Sequence, residues 1–438
     1  MDILCSAVVL LFGIITFLKD KKLYNVGAVF SLFWGMILLL STLRLYGLYE
    51  AGDRAYLFIM VGVSFFCLGE ALGERITFIN RNGKRFFSKR DENQINVRRF
   101  YLLLSVCIVC LIPDIKMIIY FVKNGFDLNR IYYTIAMNSA GAETEISNIQ
   151  FGSALQQIIK TYIGYPLLYL LISVSLICFM KKREKKYFFS ILILTLIRFL
   201  ADLKRTLLVM LFLMVVFFFL LLRDSGKYMP GNFYFFKKFK KRYIFVLFCS
   251  FAFIYIIISK LRRGNNEASF SFFENLYYYY VGCVKYFDLR IENWSQWNRS
   301  YTLGFFSLRG LISPVFSTLE KLGINVRLFS DASEALASLH NVVYSVAAER
   351  RFNSYATAFY EFYTDGGIVG IILGSTIFGW VGGTYYSDYK ASHSLLSCLR
   401  LGYFISVFIL FSMLQISSII NYLVWPLILY PIVFERLK

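Results

Sequence analysis

The chain has 438 residues, of which 58% are hydrophobic and 19% aromatic, with a mean hydropathy of +0.58. No soluble core buries that much apolar length, so the composition excludes an ordinary soluble enzyme and points to an all-α polytopic integral membrane protein. The formal net charge of +20 does not indicate nucleic acid, because the Lys and Arg residues gather in short loops between apolar spans, where they act as topology signals.

Apolar runs predict helices at Ile3 to Leu18, Val26 to Leu43, Ala55 to Leu72, Phe100 to Val122, Tyr162 to Met180, Tyr187 to Ala201, Thr206 to Leu222, Tyr243 to Ser259, Ile368 to Tyr385, Leu401 to Leu414 and Ile416 to Phe434. That gives about 11 transmembrane helices at the length a bilayer demands. The first has Asp2 in place of a basic leader and no small-residue cleavage site, so it reads as a retained span. Lys19, Lys21 and Lys22, the connection from Arg75 to Arg99, KKREKK at 181–186 and KKFKKR at 237–242 all fall on one side of this arrangement. That side is cytoplasmic, which puts the N-terminus outside and the C-terminus inside.

Three parts follow: an N-terminal membrane bundle of about eight spans at 1–259, a large extracytoplasmic loop at 260–366, and C-terminal membrane helices at 367–438. The external segment carries eleven basic and ten acidic residues, the near-balance expected of a translocated domain. Its helix signals are legible. Ser271 with Glu274 forms a capping box before a Tyr-rich run, Ser313-Pro314 starts and Gly323 stops a short helix, and Asp331 with Glu334 caps a helix expected to run through Ala348. Tyr277 to Tyr280 suit either sugar stacking or an interfacial aromatic belt. Most of the eight cysteines lie in apolar helices, Cys107-x-x-Cys110 included, so neither a metal site nor an external disulfide framework is expected.

Charge is most informative between Tyr187 and Leu222. Those 36 residues must cross the membrane twice, where two full spans want about 40, so the turn between them is shallow. Arg198, Asp202, Lys204 and Arg205 then sit at or below the outer interface, in protein or in a water-filled cavity. Asp202 can neutralise one of the cations at helical spacing. The rest either snorkel to headgroups or bind an anionic, lipid-linked group such as a pyrophosphate. Arg262, Arg263, Arg350 and Arg351 are candidates for the same role. No DxD, Walker-type, HExxH or GxSxG pattern occurs, so neither a metal nor a cofactor is called for. His340, beside Asn341, is the external histidine. Glu361, Asp365, Glu349 and His340 are candidate general bases, Glu361 and Asp365 being favoured because they lie where the loop re-enters the membrane. Asp365 is equally suited to capping the ninth helix.

Three patches carry a family resemblance: RFLADLKRTLL, KNGFDLNRI at 123–131, and NSYATAFYEFYTDGGIVGIILG after a long external loop. With the topology, they resemble the Wzy-type oligosaccharide repeat-unit polymerases of bacterial surface polysaccharide pathways. The resemblance implies a membrane glycosyltransferase of GT-C-like architecture in the bacterial cytoplasmic (inner) membrane. Its substrates would be undecaprenyl-pyrophosphate-linked oligosaccharide repeat units for O-antigen or capsule, joined with release of undecaprenyl pyrophosphate, and its partner a chain-length regulator membrane protein. By that carry-over Arg205 best matches the family's basic position, with Arg130 next, and Arg299 to Gly310 meets an arginine-x10-glycine pattern. Asn353 and Tyr355 fall in the third patch. The chain has Phe352-Asn353 where ligase relatives carry His-Asn. An O-antigen ligase and a lipid-linked oligosaccharide flippase are the alternatives.

Overall fold

The computed structural model describes residues 1–83, 94–127, 130–131, 133–135, 149, 151–182, 184–202, 206–225, 272–298, 300–348, 350–352, 357–413, 417 and 420–435. In chain order the helices are α1 (Asp2–Asp20), α2 (Val26–Thr42), α3 (Asp53–Gly83), α4 (Val97–Cys110), α5 (Ile112–Lys123), α6 (Ala154–Ile159), α7 (Tyr165–Lys182), α8 (Lys185–Asp202), α9 (Thr206–Ser225), α10 (Phe272–Glu292), α11 (Trp294–Trp297), α12 (Arg309–Lys321), α13 (Arg327–Asn341), α14 (Ala358–Ser392), α15 (Leu395–Ser412) and α16 (Ile420–Val433). Four short strands accompany them: β1 (Gln94–Ile95), β2 (Tyr344–Ala347), β3 (Arg350–Phe352) and β4 (Phe434–Glu435).

A helix lies over every predicted span except Tyr243 to Ser259, which is outside the described residues. Among the described residues, five helices are long and apolar enough to cross a membrane, and six if α4 and α5, bent by 56°, form one span. The protein is therefore an all-α, membrane-embedded chain. α8 is excluded from that set by composition, since Lys185, Lys186, Arg198 and Asp202 load an 18-residue helix with charge.

The chain divides into two units. The first comprises Met1–Arg90, Phe270–His393 and Val407–Asn421; the second comprises Asp91–Ser269, Ser394–Ser406 and Tyr422–Lys438. Residues of the long loop from Phe270 onward thus fold with the first ninety residues.

In the first unit the axis is α3 against α14, which meet backbone to backbone. A Cβ on Gly69 would lie 2.2 Å from the Thr376 carbonyl oxygen and one on Gly73 2.3 Å from that of Trp380; on the other helix, Gly379 and Gly383 meet the Phe66 and Glu70 carbonyls at 2.0 and 2.1 Å. No side chain fits these gaps, the close approach that small residues permit between helices in lipid. An aromatic seam surrounds the contact, with Phe66 stacked on Phe30 at 4.1 Å and on Phe408 at 5.3 Å, and Phe408 on Phe378 at 5.0 Å. Trp34, fully buried, donates its indole N–H to Ser412 Oγ at 3.1 Å.

α14 is two helices in one. Gly366 and Gly367 break it, Gly367 with φ 62° and ψ −143°, a combination closed to residues with a Cβ. Thr357 caps the first part, its side chain accepting the Tyr360 N–H. After the break, Gly370 and Gly374 fit under Phe362 of the first part.

Two expectations for the loop need correction. The helix foreseen from Ser313 begins at Arg309, with Pro314 inside it. Its first turn is seeded by the Leu311 and Ile312 N–H groups on the Leu308 carbonyl, so the proline falls in an established helix and forgoes one bond. The helix foreseen through Ala348 starts earlier, at Arg327, and stops at Asn341. The β-branched pair Val342-Val343 follows, and Tyr344–Ala347 then pairs antiparallel with Arg350–Phe352 through a bulge. Ser271, half of the foreseen capping box, is outside the described residues.

The second unit holds α4 to α9 and the C-terminal strand, where Ile95 pairs with Phe434 and the Asn96 N–H donates to the Val433 carbonyl at 2.9 Å. α5 ends on Gly125 at φ 63°, with the Phe126 N–H returning to the Phe121 carbonyl at 3.0 Å.

Gly379→Val must separate α3 from α14 and is expected to cost at least ~2 kcal/mol. Gly366→Ala, whose Cβ meets nothing within 4 Å, serves as the control, both read as thermal midpoints of the detergent-purified protein. Cys283 is wholly buried and its thiol is pushed up to about 12 by burial. It should resist a maleimide at pH 8 until the protein is unfolded; rapid native labelling would contradict its burial.

Candidate functional site

In the second unit, Arg198 lies four residues before the end of α8 and is 9% exposed. Its guanidinium sits over the Tyr165 ring at 4.0 Å from the centroid, a cation–π contact. The Tyr165 hydroxyl donates to Asp114 Oδ2 at 3.0 Å, and Lys160 Nζ donates to Asp114 Oδ1 at 2.9 Å. Asp114 is 2% exposed, on α5 just past the proline that follows the α4–α5 bend. Lys160 opens a π-helical turn, Lys160–Gly164, between α6 and α7, and Gly164 there packs on Cys110, its ideal Cβ 2.9 Å from the Cys110 Cβ. Such turns recur at functional positions because they re-aim side chains within a helix. The group sets two cations, Lys160 and Arg198, against one carboxylate.

Arg130 belongs to the same unit. Asp127 Oδ1 accepts the Arg130 N–H at 2.7 Å, and the Arg130 guanidinium lies over the Phe126 ring at 4.1 Å. Its neighbour Ile131 is buried with Phe121 in a cluster that takes in Phe199 and Leu200, the two residues after Arg198. The structure thus brings the KNGFDLNRI segment onto the end of α8. Lys204, Arg205, Arg262 and Arg263 lie outside the described residues.

The remaining candidates belong to the first unit. Glu361, on the first part of α14, is fully buried, and its carboxylate accepts the Ser417 N–H at 2.7 Å and the Ser417 hydroxyl at 2.9 Å. Asp365, 7% exposed, accepts the Thr302 hydroxyl at 2.6 Å and the N–H groups of Phe306 and Ser307 at 3.0 and 3.1 Å. The Thr364 and Asp365 carbonyls accept the Thr302 and Leu303 N–H groups at 3.1 and 2.9 Å. Asp365 is a latch that closes the loop 302–307 onto the break in α14, rather than a cap on the helix that follows. A general base must reach the proton of a substrate hydroxyl; as placed, each carboxylate is enclosed and holds protein N–H and O–H groups.

Arg350 donates to Asn275 Oδ1 at 2.9 Å and lies 5.3 Å from the Tyr278 ring centroid, while Arg351 is exposed on the same strand. Tyr277 and Tyr278 are anchors. Tyr277 donates to the Leu40 carbonyl at 2.8 Å and accepts the Leu45 N–H at 3.0 Å; Tyr278 donates to the Tyr46 carbonyl. Burial raises the Tyr277 hydroxyl to about 12, so it stays a neutral donor. His340 lies on the last turn of α13. Glu349, Asn353, Tyr355 and Arg299 are outside the described residues. Gly310 lies on α12, where its ideal Cβ would stand 2.5 Å from the Ser417 carbonyl oxygen.

No protein-family model, curated protein or solved structure matches the chain. The case for a function therefore rests on these residues.

Sequence reasoning passed over Asp114, Lys160 and Arg290. Asp114 had a signal, an acidic residue within a span whose other charge is Lys116. Lys160 had none, because it precedes its span. Arg290 follows Tyr286 by four residues, the spacing at which its Nε and Nη2 donate to the Tyr286 hydroxyl at 2.9 and 2.7 Å.

Asp365→Ala strands two buried N–H groups, at about 1–3 kcal/mol each. Limited proteolysis should then cut within 302–308 at a protease level that leaves the parent intact, and Asp365→Asn should show an intermediate effect. Equal protease resistance would contradict the latch.

Proposed function

We propose that the chain is a membrane glycosyltransferase that polymerises undecaprenyl-pyrophosphate-linked oligosaccharide repeat units at the outer face of the bacterial cytoplasmic membrane. The observation that carries the reading is the buried cation group at the end of α8. A guanidinium held on the ring of Tyr165, whose hydroxyl joins the Lys160–Asp114 pair, gathers two cations at one place among apolar helices, a setting that favours an anionic ligand. A diphosphate on a lipid carrier is an anion that reaches such a depth.

In this reading the arginines do the electrostatic work. Arg198, with Arg130 and with Arg205 seven residues further along the sequence, binds the pyrophosphate and stabilises the charge that grows on it as the glycosidic bond to the carrier breaks, a role guanidinium groups fill through paired N–H donors. The leaving group is already activated, so the rest of catalysis is the placing of two lipid-linked substrates. The orientation with the N-terminus outside and a separate chain-length regulator belong to the same proposal.

The test is the size profile of surface polysaccharide on a gel, from cells with the gene deleted and then restored. Polymerisation predicts single repeat units on deletion and a full ladder on restoration. Arg205→Ala and Arg198→Ala are expected to lose the ladder while inserting normally, with Arg198→Lys only partly restoring it, since a lysine cannot reproduce the paired donors or the stacked plane. Loss of every repeat unit from the surface would point instead to a ligase or, if the lipid-linked sugar accumulates inside, to a flippase.

A further inference from the structure

The loop that Asp365 latches in the first unit carries apolar side chains that the fold leaves open. Leu303 is 72% exposed, and its backbone is held at φ 51°, a left-handed conformation that residues with a Cβ rarely adopt. Glycine or asparagine usually fills such a position, whereas here it is a leucine turned to the outside. Strain of this kind persists where the surroundings impose it, and it gathers at positions with a use. Leu308, also exposed, lies beside the next residue, its Cδ1 3.9 Å from an ideal Cβ on Gly304.

α12 carries the surface on. Leu311, Ile312, Val315 and Leu319 recur at three- and four-residue intervals and share one face of the helix. A different face is turned to α13: Arg309 donates to Ser333 Oγ at 3.2 Å, Phe316 stacks on Phe329 at 5.5 Å, and Glu320 accepts the Ser330 hydroxyl at 3.3 Å. The apolar face is left open, with Val315 60% exposed. At the helix end Gly323, at φ 83°, returns the Ile324 N–H to the Leu319 carbonyl at 2.9 Å, and both Leu322 and Ile324 are exposed there.

Two contacts fix where this surface sits. The Leu303 N–H donates to the Asp365 carbonyl at 2.9 Å, and a Cβ on Gly367 would lie 3.0 Å from the Tyr301 hydroxyl, so the loop rests on the break in α14. Gly310 presses on the Ser417 carbonyl, and Ser417 is held by Glu361, one turn before Asp365. From Ile368 to Tyr386 the chain then runs 19 residues without a charge, about 28 Å of helix, which matches a hydrocarbon core of about 30 Å. The break is therefore at the membrane boundary, and Leu303 with it. Just past the break, Val369 and Leu373 are exposed on the membrane-crossing part itself. The apolar surface of the loop thus begins where the lipid-facing surface of α14 ends.

We propose that Leu303, the open face of α12 and the Leu322–Ile324 turn form a monotopic surface seated in the leaflet at the α14 break, its apolar side chains at the boundary between headgroups and acyl chains. At 13 residues, about 20 Å, α12 is too short to cross a bilayer, so it lies in the leaflet. Lipid is the occupant because the surface is continuous with residues of α14 that already face it, and an apolar patch of this extent is unfavourable against water. Such a seat requires neither polymerase activity nor a particular orientation of the chain.

The experiment attaches an NBD fluorophore to one added cysteine at a time in the full-length protein, in phosphatidylcholine nanodiscs. Leu303→Cys, Val315→Cys and Leu322→Cys report on the apolar surface, and Lys321→Cys on the polar side of α12. The native cysteines among the described residues are buried, and the parent, labelled in parallel, supplies the background. At 303, 315 and 322 the expected result is blue-shifted emission, quenching by doxyl groups carried near the lipid carbonyls, and loss of quenching by aqueous iodide. Lys321→Cys should keep its iodide quenching. Water-like emission with full iodide quenching at 303 and 315 overturns the seat. So does shielding from both quenchers, which would mean that protein, a second copy or a partner, covers the face. Hydroxyl-radical footprinting of the unsubstituted protein in the same nanodiscs serves where a variant fails to fold. Leu303, Val315 and Leu322 are expected to escape oxidation, and ready oxidation of Leu303 and Leu322 overturns the seat.

Discussion

The structure of the first unit depends on two helices touching through their backbones. Where Gly69 and Gly73 meet Gly379 and Gly383, the chain gains close dispersion contact that side chains would prevent, and in a membrane this packing is a main force available between helices. The contact fixes the second part of α14. The break at Gly366 and Gly367 then sets the direction of the first part, which carries Glu361 and Asp365. Both carboxylates are spent on neighbouring segments, Glu361 on Ser417 and Asp365 on the loop 302–307. A pair of acids that looks catalytic by position is thus part of how the loop is held to the membrane helices.

The second unit solves a different problem. Placing Arg198 and Lys160 among apolar helices needs compensation, and Asp114 and Tyr165 supply a carboxylate, a phenol and an aromatic face toward it. The α4–α5 bend and the π-turn at Lys160–Gly164 bring these groups together from three helices. Irregular backbone at membrane depth is tolerated where protein or a water-lined cavity encloses it. Both irregularities here adjoin the charged group, consistent with polar chemistry at that level.

The helical plan was legible because apolar length is written directly into the residues; a helix lies over each predicted span wherever the chain is described, but the span foreseen from Phe100 to Val122 is bent by 56°, and among the described residues five or six helices are long and apolar enough to cross a membrane. Local ends were less so. Pro314 reads as a start signal, but the loop anchored by Asp365 had already begun the helix at Arg309, a tertiary cause that no local pattern carries. The same holds for the site. Arg198 stood out as a cation in an apolar run, whereas the Lys160–Asp114 pair that joins it through Tyr165 comes from residues 38 and 84 positions earlier in the chain. Arg290 was invisible among the charges of a balanced loop, since only burial distinguishes it from Lys285 or Arg327.

The discontinuity of the first unit has a consequence for biogenesis. Its opening helices leave the ribosome long before α14, and the glycine stripe on α3 has no partner until then. At about 5–20 residues per second, the wait is on the order of tens of seconds. During that interval α3 sits in the bilayer with a notch of bare backbone uncovered, while the carboxylate of Glu70, near its middle, has Gly27 of α2 against it. The nascent protein must be held by an insertion machinery or by α1 and α2 alone, which makes the early half of this chain a client before it is a fold.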